Sequence, residues 1–247
     1  MDVNCIYNES CLVTMGKMED CSVDVVITSP PYNKAGYEGF IRTPSPTDAW
    51  SSRNIEYDGQ AENDFLVESI YQEQQIEVLD EIQRILKPNG SCFYNHKVRV
   101  AQHKASHPIE WLIKSNLVFR QQIIWNRKSS PAVSPIRYLP TTELIFWLTK
   151  QAIQPNFNRN KDCLFGGEVW DIVPRKNPNH PAPFPIEIPF NILSCIENSE
   201  SLVVYDPYCG TGTVLQAAKL LGMSYIGSEI VKKYCIFAEQ QLNQLLF

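Results

Sequence analysis

Short stretches rich in branched and aromatic residues alternate along this chain with stretches that have helical spacing. Six of the former predict strands: VDVVI (23–27), SCFYN (91–95), VFRQQIIW (118–125), ELIFWLT (143–149), LVVYD (202–206) and MSYIG (223–227). Apolar residues recur every three or four positions over 68–87, before Pro88-Asn89-Gly90, and again from Val231 to Leu245. The alternation predicts an α/β fold with a doubly wound, mostly parallel sheet and helices on both faces.

Two segments do not follow this alternation. Residues 34–67 and 151–185 are polar, rich in Pro, Asn, Gly and Ser, and longer than ordinary connections. Long segments of this kind in a compact domain are functional loops or disorder. With 247 residues, of which 44% are hydrophobic, the chain can bury a full core, so we expect one large domain that carries these inserted loops.

Composition excludes several classes of protein. The start of the chain has no basic region followed by an apolar stretch, and no run of about 18 apolar residues occurs, so we expect a cytoplasmic protein with no membrane partner. The cysteines form no Cys-x-x-Cys pair, which argues against a metal site, and we expect most of them to be reduced and buried. They lie at positions 5, 11, 21, 92, 163, 195, 209 and 235.

The segment LVVYDPYCGTGTVLQAAKLLGMSYIGSE (202–229) has the features of a ligand site at the end of a strand. A buried strand ends in Asp206, Gly210 and Gly212 form the following turn, and Thr213 marks the start of a helix. Glu229, at the end of the next strand, can accept hydrogen bonds from both hydroxyls of a ribose. The segment lacks the third glycine of a dinucleotide site and the Gly-Lys-Ser/Thr of a phosphate loop. It therefore favours a nucleoside ligand without a pyrophosphate over NAD or ATP.

The strand VDVVIT runs directly into Ser29-Pro30-Pro31-Tyr32. Two consecutive prolines often do no more than end a strand. They also have fixed φ angles and no amide hydrogen, so they hold their carbonyl groups rigidly where a ligand can reach them. On Pro-Pro alone, the simple strand end is the favoured interpretation.

SPPY together with DPYCGTGT resembles the DNA amino-methyltransferases, which transfer a methyl group from S-adenosylmethionine to the exocyclic amine of cytosine or adenine. The SPPY block precedes the cofactor block, as in the permuted β class. RILKPNG (84–90), IIWNRK (123–128) and HPAPFPIEIPFNIL (180–193) extend the resemblance over most of the chain. It implies a single Rossmann-like methyltransferase domain over 1–247, with a catalytic and base-binding half (1–150), a target-recognition loop (151–180) and a cofactor-binding half (181–247).

The resemblance assigns roles to residues of this sequence. Ser29 Oγ and the Pro30 carbonyl would accept the hydrogens of the target amine, Pro31 would stiffen the motif, and Tyr32 would stack on a base flipped out of the duplex. Glu9, in NESC (8–11), stands where the family usually has aspartate, which is a departure from the pattern. The residues implied to bind the cofactor are Glu9, Thr28, His180, Phe184, Pro185, Asp206, Pro207, Tyr208, Gly210, Gly212, Thr213 and Glu229.

The residue at the first position of the motif bears on the target base. Cytosine enzymes of the family usually have Ser there and adenine enzymes Asp, so Ser29 favours the 4-amino group of cytosine, with the 6-amino group of adenine as the alternative. HPAPFP also resembles the cytosine enzymes. Methylation of a ring carbon is excluded because no Pro-Cys occurs, and the His-x-Glu and Cys-x-x-Cys of zinc deaminases are absent.

Charge is segregated along the chain in a way that suits a double-stranded DNA partner. Residues 1–90 carry a net charge of −10, residues 91–180 carry +8, and residues 181–247 carry −3. A basic middle third can form a phosphate-binding face. An ordinary solvated surface with chance clustering would give the same numbers. The residues predicted to contact DNA are Asn33, Lys128, Arg137, Arg159 and Lys161.

Two rival functions stay open at this point. One is a catalytically idle DNA-binding protein that keeps the cofactor as a ligand, and the other is methylation of an amine or amide on RNA or protein. The resemblance also leaves open a homodimer and a cognate restriction endonuclease as partners.

Overall fold

The computed structural model describes residues 1–33, 66–101, 104–130, 135–159, 163–174, 184–197 and 201–245. The strands within these ranges are β1 (Cys5–Tyr7), β2 (Val23–Thr28), β3 (Leu86–His96), β4 (Arg99–Ala101), β5 (Lys104–Ser106), β6 (Val118–Asn126), β7 (Thr142–Thr149), β8 (Val169–Asp171), β9 (Val203–Asp206) and β10 (Ser224–Ser228). The helices are α1 (Cys11–Gly16), α2 (Glu68–Ile85), α3 (Ile109–Leu112), α4 (Glu187–Ser194), α5 (Thr213–Leu220) and α6 (Lys232–Gln244). Of the helices in this part of the chain, none is long and apolar enough to cross a membrane.

Eight strands form one sheet in the order β1-β10-β9-β2-β3-β7-β6-β8. Neighbours from β1 to β3 are parallel, β7 is antiparallel to both β3 and β6, and β8 is parallel to β6. The strands β4 and β5 form a separate antiparallel pair. The sheet contains all six strands predicted from the sequence, and the prediction of a mostly parallel sheet is confirmed.

One edge of the sheet collects the carboxyl ends of its parallel strands. Tyr7 pairs with Ser228, so β1 and β10 end together, and Asp206 ends the adjacent strand β9. His96, at the end of β3, pairs with Leu144 near the start of β7, because these two strands run in opposite directions. We call this the carboxyl edge: the ends of β1, β10, β9, β2 and β3 together with the start of β7.

Both faces of the sheet carry a hydrophobic core, because side chains of successive strand residues point to opposite faces. Val25 and Ile27 of β2 belong to the core that includes residues of α4 and α5. Val26 belongs to the core that includes residues of α1, α2 and α3. The prediction that helices cover both faces is confirmed. Burial on both faces explains why Val25, Val26 and Ile27 form a continuous apolar run rather than an alternating pattern.

The helix predicted over 68–87 ends earlier, at Ile85. Leu86 already pairs with Val23 and starts β3, and the pairing then shifts register before it resumes at Val25. Pro88-Asn89-Gly90 therefore lies inside β3, at this irregularity. Leu86 is fully buried, and Lys87 forms an ion pair of 2.8 Å with Asp24, so packing against β2 overrides the helical spacing of the last two positions.

One pair of cysteines departs from the expected reduced state. Cys163 and Cys195 form a disulfide, with their Cα atoms 5.7 Å apart, that joins the segment before β8 to the end of α4. The other six cysteines are free, and most of these are buried as expected: Cys11, Cys92, Cys209 and Cys235.

Candidate active site

Asp206 is a buried carboxylic acid at the carboxyl edge, with 3% of its surface exposed. Its Oδ1 accepts a hydrogen bond of 3.1 Å from the backbone N–H of Tyr208. Burial raises the pKa of this carboxyl to about 7, and the nearby negative charge of Glu229 adds to the rise. Hydrogen-bond donors from a ligand would therefore stabilise the charged form of this buried carboxyl.

Glu229 follows β10 and ties two segments of backbone together. Its Oε2 accepts from the N–H of Gly210 at 2.9 Å, and its Oε1 accepts from the N–H of Val231 at 2.8 Å. Burial raises the pKa of Glu229, while these N–H groups oppose the rise. The predicted partners Asp206 and Glu229 therefore lie together, across the turn after β9.

The turn between β9 and α5 depends on its glycines. Gly210 and Gly212 have φ angles of 51° and 81°, which side-chain-bearing residues rarely adopt. A Cβ atom on Gly212 would lie 2.9 Å from the Cβ of Ala238 in α6. The helix begins at Thr213, as predicted. Glycine is required here for conformation and for close packing at once.

The other predicted cofactor residues occupy different surroundings. Glu9, just after β1, has its carboxylate held by Lys17 at 2.6 Å and by the Thr14 hydroxyl at 3.0 Å. Its neighbour Asn8 donates to the carbonyl oxygens of Glu229 and Ile230 and so joins the ends of β1 and β10.

Further predicted cofactor residues lie at the end of β2, directly after β9 and before α4. Thr28, the last residue of β2, is fully buried, and Pro207 is buried as well. Phe184 contacts Trp125 edge-on with ring centroids 6.2 Å apart, and the Pro185 carbonyl accepts from Ile188 at the start of α4. His180 lies outside the described residues.

The SPPY motif is held by a network of side chains from β3, from β7 and from Arg127, the residue after β6. The hydroxyls of Ser29 and Tyr32 are 2.9 Å apart, and Tyr32 donates to Glu143 Oε2 at 2.9 Å. Asn95 Nδ2 donates to the Tyr32 hydroxyl at 2.6 Å and to Glu143 Oε2 at 3.0 Å. Arg127 forms an ion pair of 2.6 Å with Glu143 Oε1. Burial and the charge of Glu143 raise the pKa of Tyr32 well above its usual range, so the phenol keeps its proton.

A second group of residues fixes the prolines from the opposite side. The Tyr71 hydroxyl donates to the Pro31 carbonyl at 2.7 Å and lies 2.9 Å from His96 Nε2. Burial holds the pKa of His96 well below its usual range, so the ring is neutral. Because Tyr71 donates its proton to Pro31, its oxygen can accept a hydrogen bond from His96 Nε2, while His96 Nδ1 lies 2.9 Å from the amide nitrogen and 2.8 Å from the carbonyl oxygen of Lys97. The His96 ring packs against Tyr32 with centroids 4.5 Å apart.

Asn33 closes the segment that follows the motif. It has a φ angle of 48°, its side chain is buried, and its amide exchanges two hydrogen bonds of 2.9 Å with the backbone of Leu66. Its predicted contact with DNA stays a prediction. In this structure, the amide holds together the two ends of the segment 34–65, which itself lies outside the described residues.

Several positive charges of the basic third are neutralised within the protein. Arg99 is 5% exposed and forms a two-point ion pair with Glu68, and Arg127 pairs with Glu143. Lys128 pairs with Asp171 in an exposed position. Glu143 and Asp171 are already counted in the net charge of +8 of residues 91–180, so only the pairing of Arg99 with Glu68 lowers the net charge that this segment can offer to a phosphate backbone.

Arg137 and Arg159 are both exposed, whereas Lys161 lies outside the described residues. Arg137 belongs to the connection between β6 and β7, which leaves and re-enters the sheet at the carboxyl edge. A hydrogen bond of 2.8 Å from the Arg127 N–H to the Thr141 carbonyl closes the base of this connection. Next to Arg137, Ile136 and Tyr138 expose 77% and 99% of their surfaces. Exposed cationic and apolar side chains thus form the tip of this connection, which starts at Arg127, a contact of Glu143.

Asn95, Glu143, Tyr71 and His96 were not singled out from the sequence. Asn95 and Glu143 are polar residues at the ends of predicted strands, SCFYN and ELIFWLT, and this position was the available signal. A polar strand end becomes informative only when β3 and β7 are known to be neighbours, and no local sequence pattern shows that they are. Tyr71 occupies an ordinary core position of α2, so nothing in the sequence distinguishes it from a packing residue.

Comparisons with known proteins agree with this geometry. The family model described as DNA methylase, for N6 and N4 methyltransferases, matches residues 23–240. The type II methyltransferase M.BglII of Bacillus subtilis is 27% identical over 98% of this chain and 69% of its own length.

Two solved structures have similar folds. The cytosine-N4-specific PvuII DNA methyltransferase has a TM-score of 0.73 at 17% identity, with 95% of this chain and 84% of that one covered. A putative DNA modification methylase of Thermus thermophilus, complexed with S-adenosylmethionine, has a TM-score of 0.69 at 21% identity, with 97% and 93% covered. The described residues form the sheet and turns expected of such a protein, and the family match covers most of the sequence. The chain therefore belongs to the N6 and N4 DNA methylase family and is a DNA methyltransferase that uses S-adenosylmethionine.

Proposed function

We propose that this methyltransferase acts on the 4-amino group of cytosine in double-stranded DNA, at a specific sequence. The observation that carries the choice of base is Ser29 at the carboxyl edge, as the first residue of SPPY and 2.9 Å from the Tyr32 hydroxyl. A hydroxyl is a weaker acceptor than the aspartate that usually occupies this position in the adenine enzymes.

The chemical task at this edge is to make a poor nucleophile reactive. The lone pair of an exocyclic amine is delocalised into the ring, and acceptors placed on its two hydrogens draw the nitrogen toward tetrahedral geometry. Ser29 Oγ and the Pro30 carbonyl oxygen are the proposed acceptors. The Pro31 carbonyl is already occupied by Tyr71, and among the described residues none donates a hydrogen bond to the Pro30 carbonyl. The ring of Tyr32, backed by His96, is the proposed stacking surface for the base.

The residues at the ends of β9, β10 and β2 fit the cofactor. Thr28 Oγ1 is buried beside Asp206 without a hydrogen bond of normal geometry, and the Asp206 carboxyl is buried with a raised pKa. Both groups can accept or donate hydrogen bonds to a polar ligand, and we propose that they hold it together with Glu229 and the turn at Gly210. Bound S-adenosylmethionine supplies a methyl group on a positively charged sulfur, which the amine nitrogen can attack.

Contacts to DNA are proposed for the exposed cations near the motif. Arg137, in the connection between β6 and β7, would bind phosphate, and Arg159 would do so from the proposed target-recognition segment 151–180. Lys128 can contribute only by exchanging its partner Asp171 for a phosphate. The division of the domain into a catalytic half, a recognition loop and a cofactor half also stays a proposal, as do the homodimer, the cognate endonuclease and the cytoplasmic location.

A labelling experiment tests the reaction and the base together. The protein is incubated with tritiated S-adenosylmethionine and mixed-sequence DNA, and the nucleosides are then separated. We expect label on 4-methyl-2′-deoxycytidine, and a strong loss of this label after Ser29→Ala. Label on adenine alone would replace the proposed base. The absence of label with intact cofactor binding would instead support a catalytically idle DNA-binding protein, and parallel reactions with RNA and protein would reveal another acceptor.

A further inference from the structure

Glu143 is a buried carboxylate that the proposed chemistry does not yet use. It lies one residue after the start of β7, with 7% of its surface exposed. One oxygen faces Arg127, and the other faces Tyr32 and Asn95. Burying a charge is costly unless it is paired and hydrogen-bonded, so a carboxylate kept at this place calls for an explanation beyond packing.

The hydrogen-bond directions around Tyr32 can be read from its neighbours. Asn95 must present its N–H₂ group, because its Oδ1 in the same place would face a carboxylate oxygen at 3.0 Å. The phenol has one proton, which it donates to Glu143 Oε2 at 2.9 Å. The Tyr32 oxygen then accepts hydrogen bonds from Asn95 and from Ser29.

This leaves one direction for the hydroxyl of Ser29. Its proton points to the Tyr32 oxygen 2.9 Å away, one lone pair of Oγ faces Asn95 Nδ2 at 3.3 Å, and the other lone pair is directed away from both groups. A serine hydroxyl is otherwise free to rotate and can donate to a base as readily as it accepts. An amine needs an acceptor, so the direction of this one proton decides whether Ser29 helps or hinders.

We propose that Glu143 is a positioning residue that acts through Tyr32 and makes Ser29 Oγ a hydrogen-bond acceptor toward the target amine. The proposal rests on the proposed function of the SPPY motif. The SPPY motif has no carboxylate of its own. Under this proposal the carboxylate of Glu143 on β7 orients Ser29 through two successive hydrogen bonds. It also gives Arg127 a role inside the protein, as the group that holds Glu143 in place.

Glu143→Gln is the decisive substitution because it keeps the shape of the side chain. Arg127 is a charged donor and will claim the single amide oxygen, so the N–H₂ group turns toward Tyr32. The phenol must then accept from Gln, and the Asn95 amide, which faces the same position at 3.0 Å, turns over as well. The Ser29 proton is then no longer held on the Tyr32 oxygen by a carboxylate and is free to turn toward the base. We expect kcat to fall on the order of 10²-fold while the KM for DNA and the cofactor Kd change little.

A binding measurement separates this role from a structural one. The methylated sequence is first mapped, and two modified duplexes are made: one lacks the amino group of the target base, and the other has ring N3 replaced by C–H. Affinities are measured with S-adenosylhomocysteine for the wild type and for Glu143→Gln. The cost of flipping each duplex is the same for both proteins, so it cancels when their affinity ratios are compared.

The proposal predicts a different change in affinity for each of the two duplexes. Loss of the amino group should weaken wild-type binding about tenfold more than it weakens binding by Glu143→Gln, because only the wild type offers an acceptor there. Replacement of N3 should weaken binding by Glu143→Gln at least as much as it weakens wild-type binding, because the Ser29 proton released in the variant can reach the ring. If the amino-group ratio is instead the same for both proteins and replacement of N3 weakens only wild-type binding, Ser29 donates to the ring in the wild type and the proposal is overturned.

A double substitution guards against a simple loss of folding. In Arg127→Met with Glu143→Gln, the amide oxygen is no longer claimed by Arg127 and can turn back to Tyr32. We expect the double variant to be more active than Glu143→Gln alone, with thermal unfolding followed in parallel. Equal or lower activity in the double variant contradicts the proposal. If the wild type itself methylates no DNA, the proposed function has failed and not the role of Glu143.

Discussion

The two halves of the carboxyl edge are built in different ways. Around Asp206 and Glu229, backbone N–H groups of nearby residues hold the carboxylates, as in the bonds from Tyr208, Gly210 and Val231. Around Ser29 and Tyr32, the motif is instead held by side chains of β3, of β7 and of the residue after β6. A site built from a local turn is determined by a short segment. A site built from side chains of several strands requires the whole sheet to be in register, because a shift by one residue would turn Asn95 or Glu143 to the opposite face.

The largest expected effect falls on the side-chain half. Ser29→Ala removes a proposed acceptor of the target amine and should lower kcat on the order of 10³-fold, with cofactor affinity unchanged. Ser22→Ala is the matched control, because Ser22 precedes the same strand at its opposite end and bonds only its local backbone. Single-turnover kinetics and calorimetry measure the two quantities. A parallel loss of cofactor binding would show that the halves are not separable.

Asp206→Asn should reveal the energetic cost of the backbone half. The pKa of Asp206 is about 7 in the folded protein against an ordinary value of 3.8, so the folded state binds the proton more tightly. Its stabilising contribution is present below pH 4 and is lost as the pH rises to 7. At pH 8, Asp206→Asn should therefore be more stable by a few kcal/mol while binding the cofactor less tightly. Denaturant unfolding at pH 5 and pH 8 checks the trend, and a pH-independent difference would contradict it.

Gly212→Ala tests the conformation of the turn itself. The new Cβ would combine a left-handed φ of 81° with a 2.9 Å approach to Ala238, so we expect a loss of about 2 kcal/mol in the free energy of unfolding. Adding Ala238→Gly removes the contact but not the backbone strain. The loss of unfolding free energy caused by Gly212→Ala should therefore be smaller when it is measured in the Ala238→Gly background than in the wild type. Full additivity in a double-mutant cycle would exclude the contact as a cause.

The smallest expected effect concerns the exposed tip between β6 and β7. Arg137→Ala should weaken DNA binding only several-fold and reduce the slope of log affinity against log salt by about 0.9, the value for one phosphate contact. Cofactor affinity should not change. Titration at several salt concentrations measures the slope, with Lys114→Ala as a control because Lys114 lies between α3 and β6. An unchanged slope for Arg137→Ala would place the DNA elsewhere.

The same comparison explains what could be predicted from the sequence. The turn from Asp206 to Thr213, and Glu229 beyond it, were predicted in detail because glycines, strand and helix lie within one segment. Ser29 and Tyr32 were predicted through the resemblance of SPPY. Asn95 and Glu143 could not be, because their importance arises only when β3 and β7 become neighbours.

Two errors in the predicted structure have the same origin. The helix predicted to run to 87 stops at Ile85 because Leu86 packs against Val23, which is distant in sequence. The Cys163–Cys195 disulfide joins residues whose proximity depends on how α4 packs. Local patterns predict local structure, and both features depend on contacts between distant segments.

The clasp between Asn33 and Leu66 has a consequence for how such an enzyme can diversify. The chain leaves the catalytic motif and returns to α2 at the same pair of hydrogen bonds. The two ends of the segment 34–65 are therefore held side by side, one residue away from Tyr32. As long as these two hydrogen bonds form, Asn33 and Leu66 keep their places beside the reacting groups, so evolution can change the sequence of the segment and preserve the chemistry.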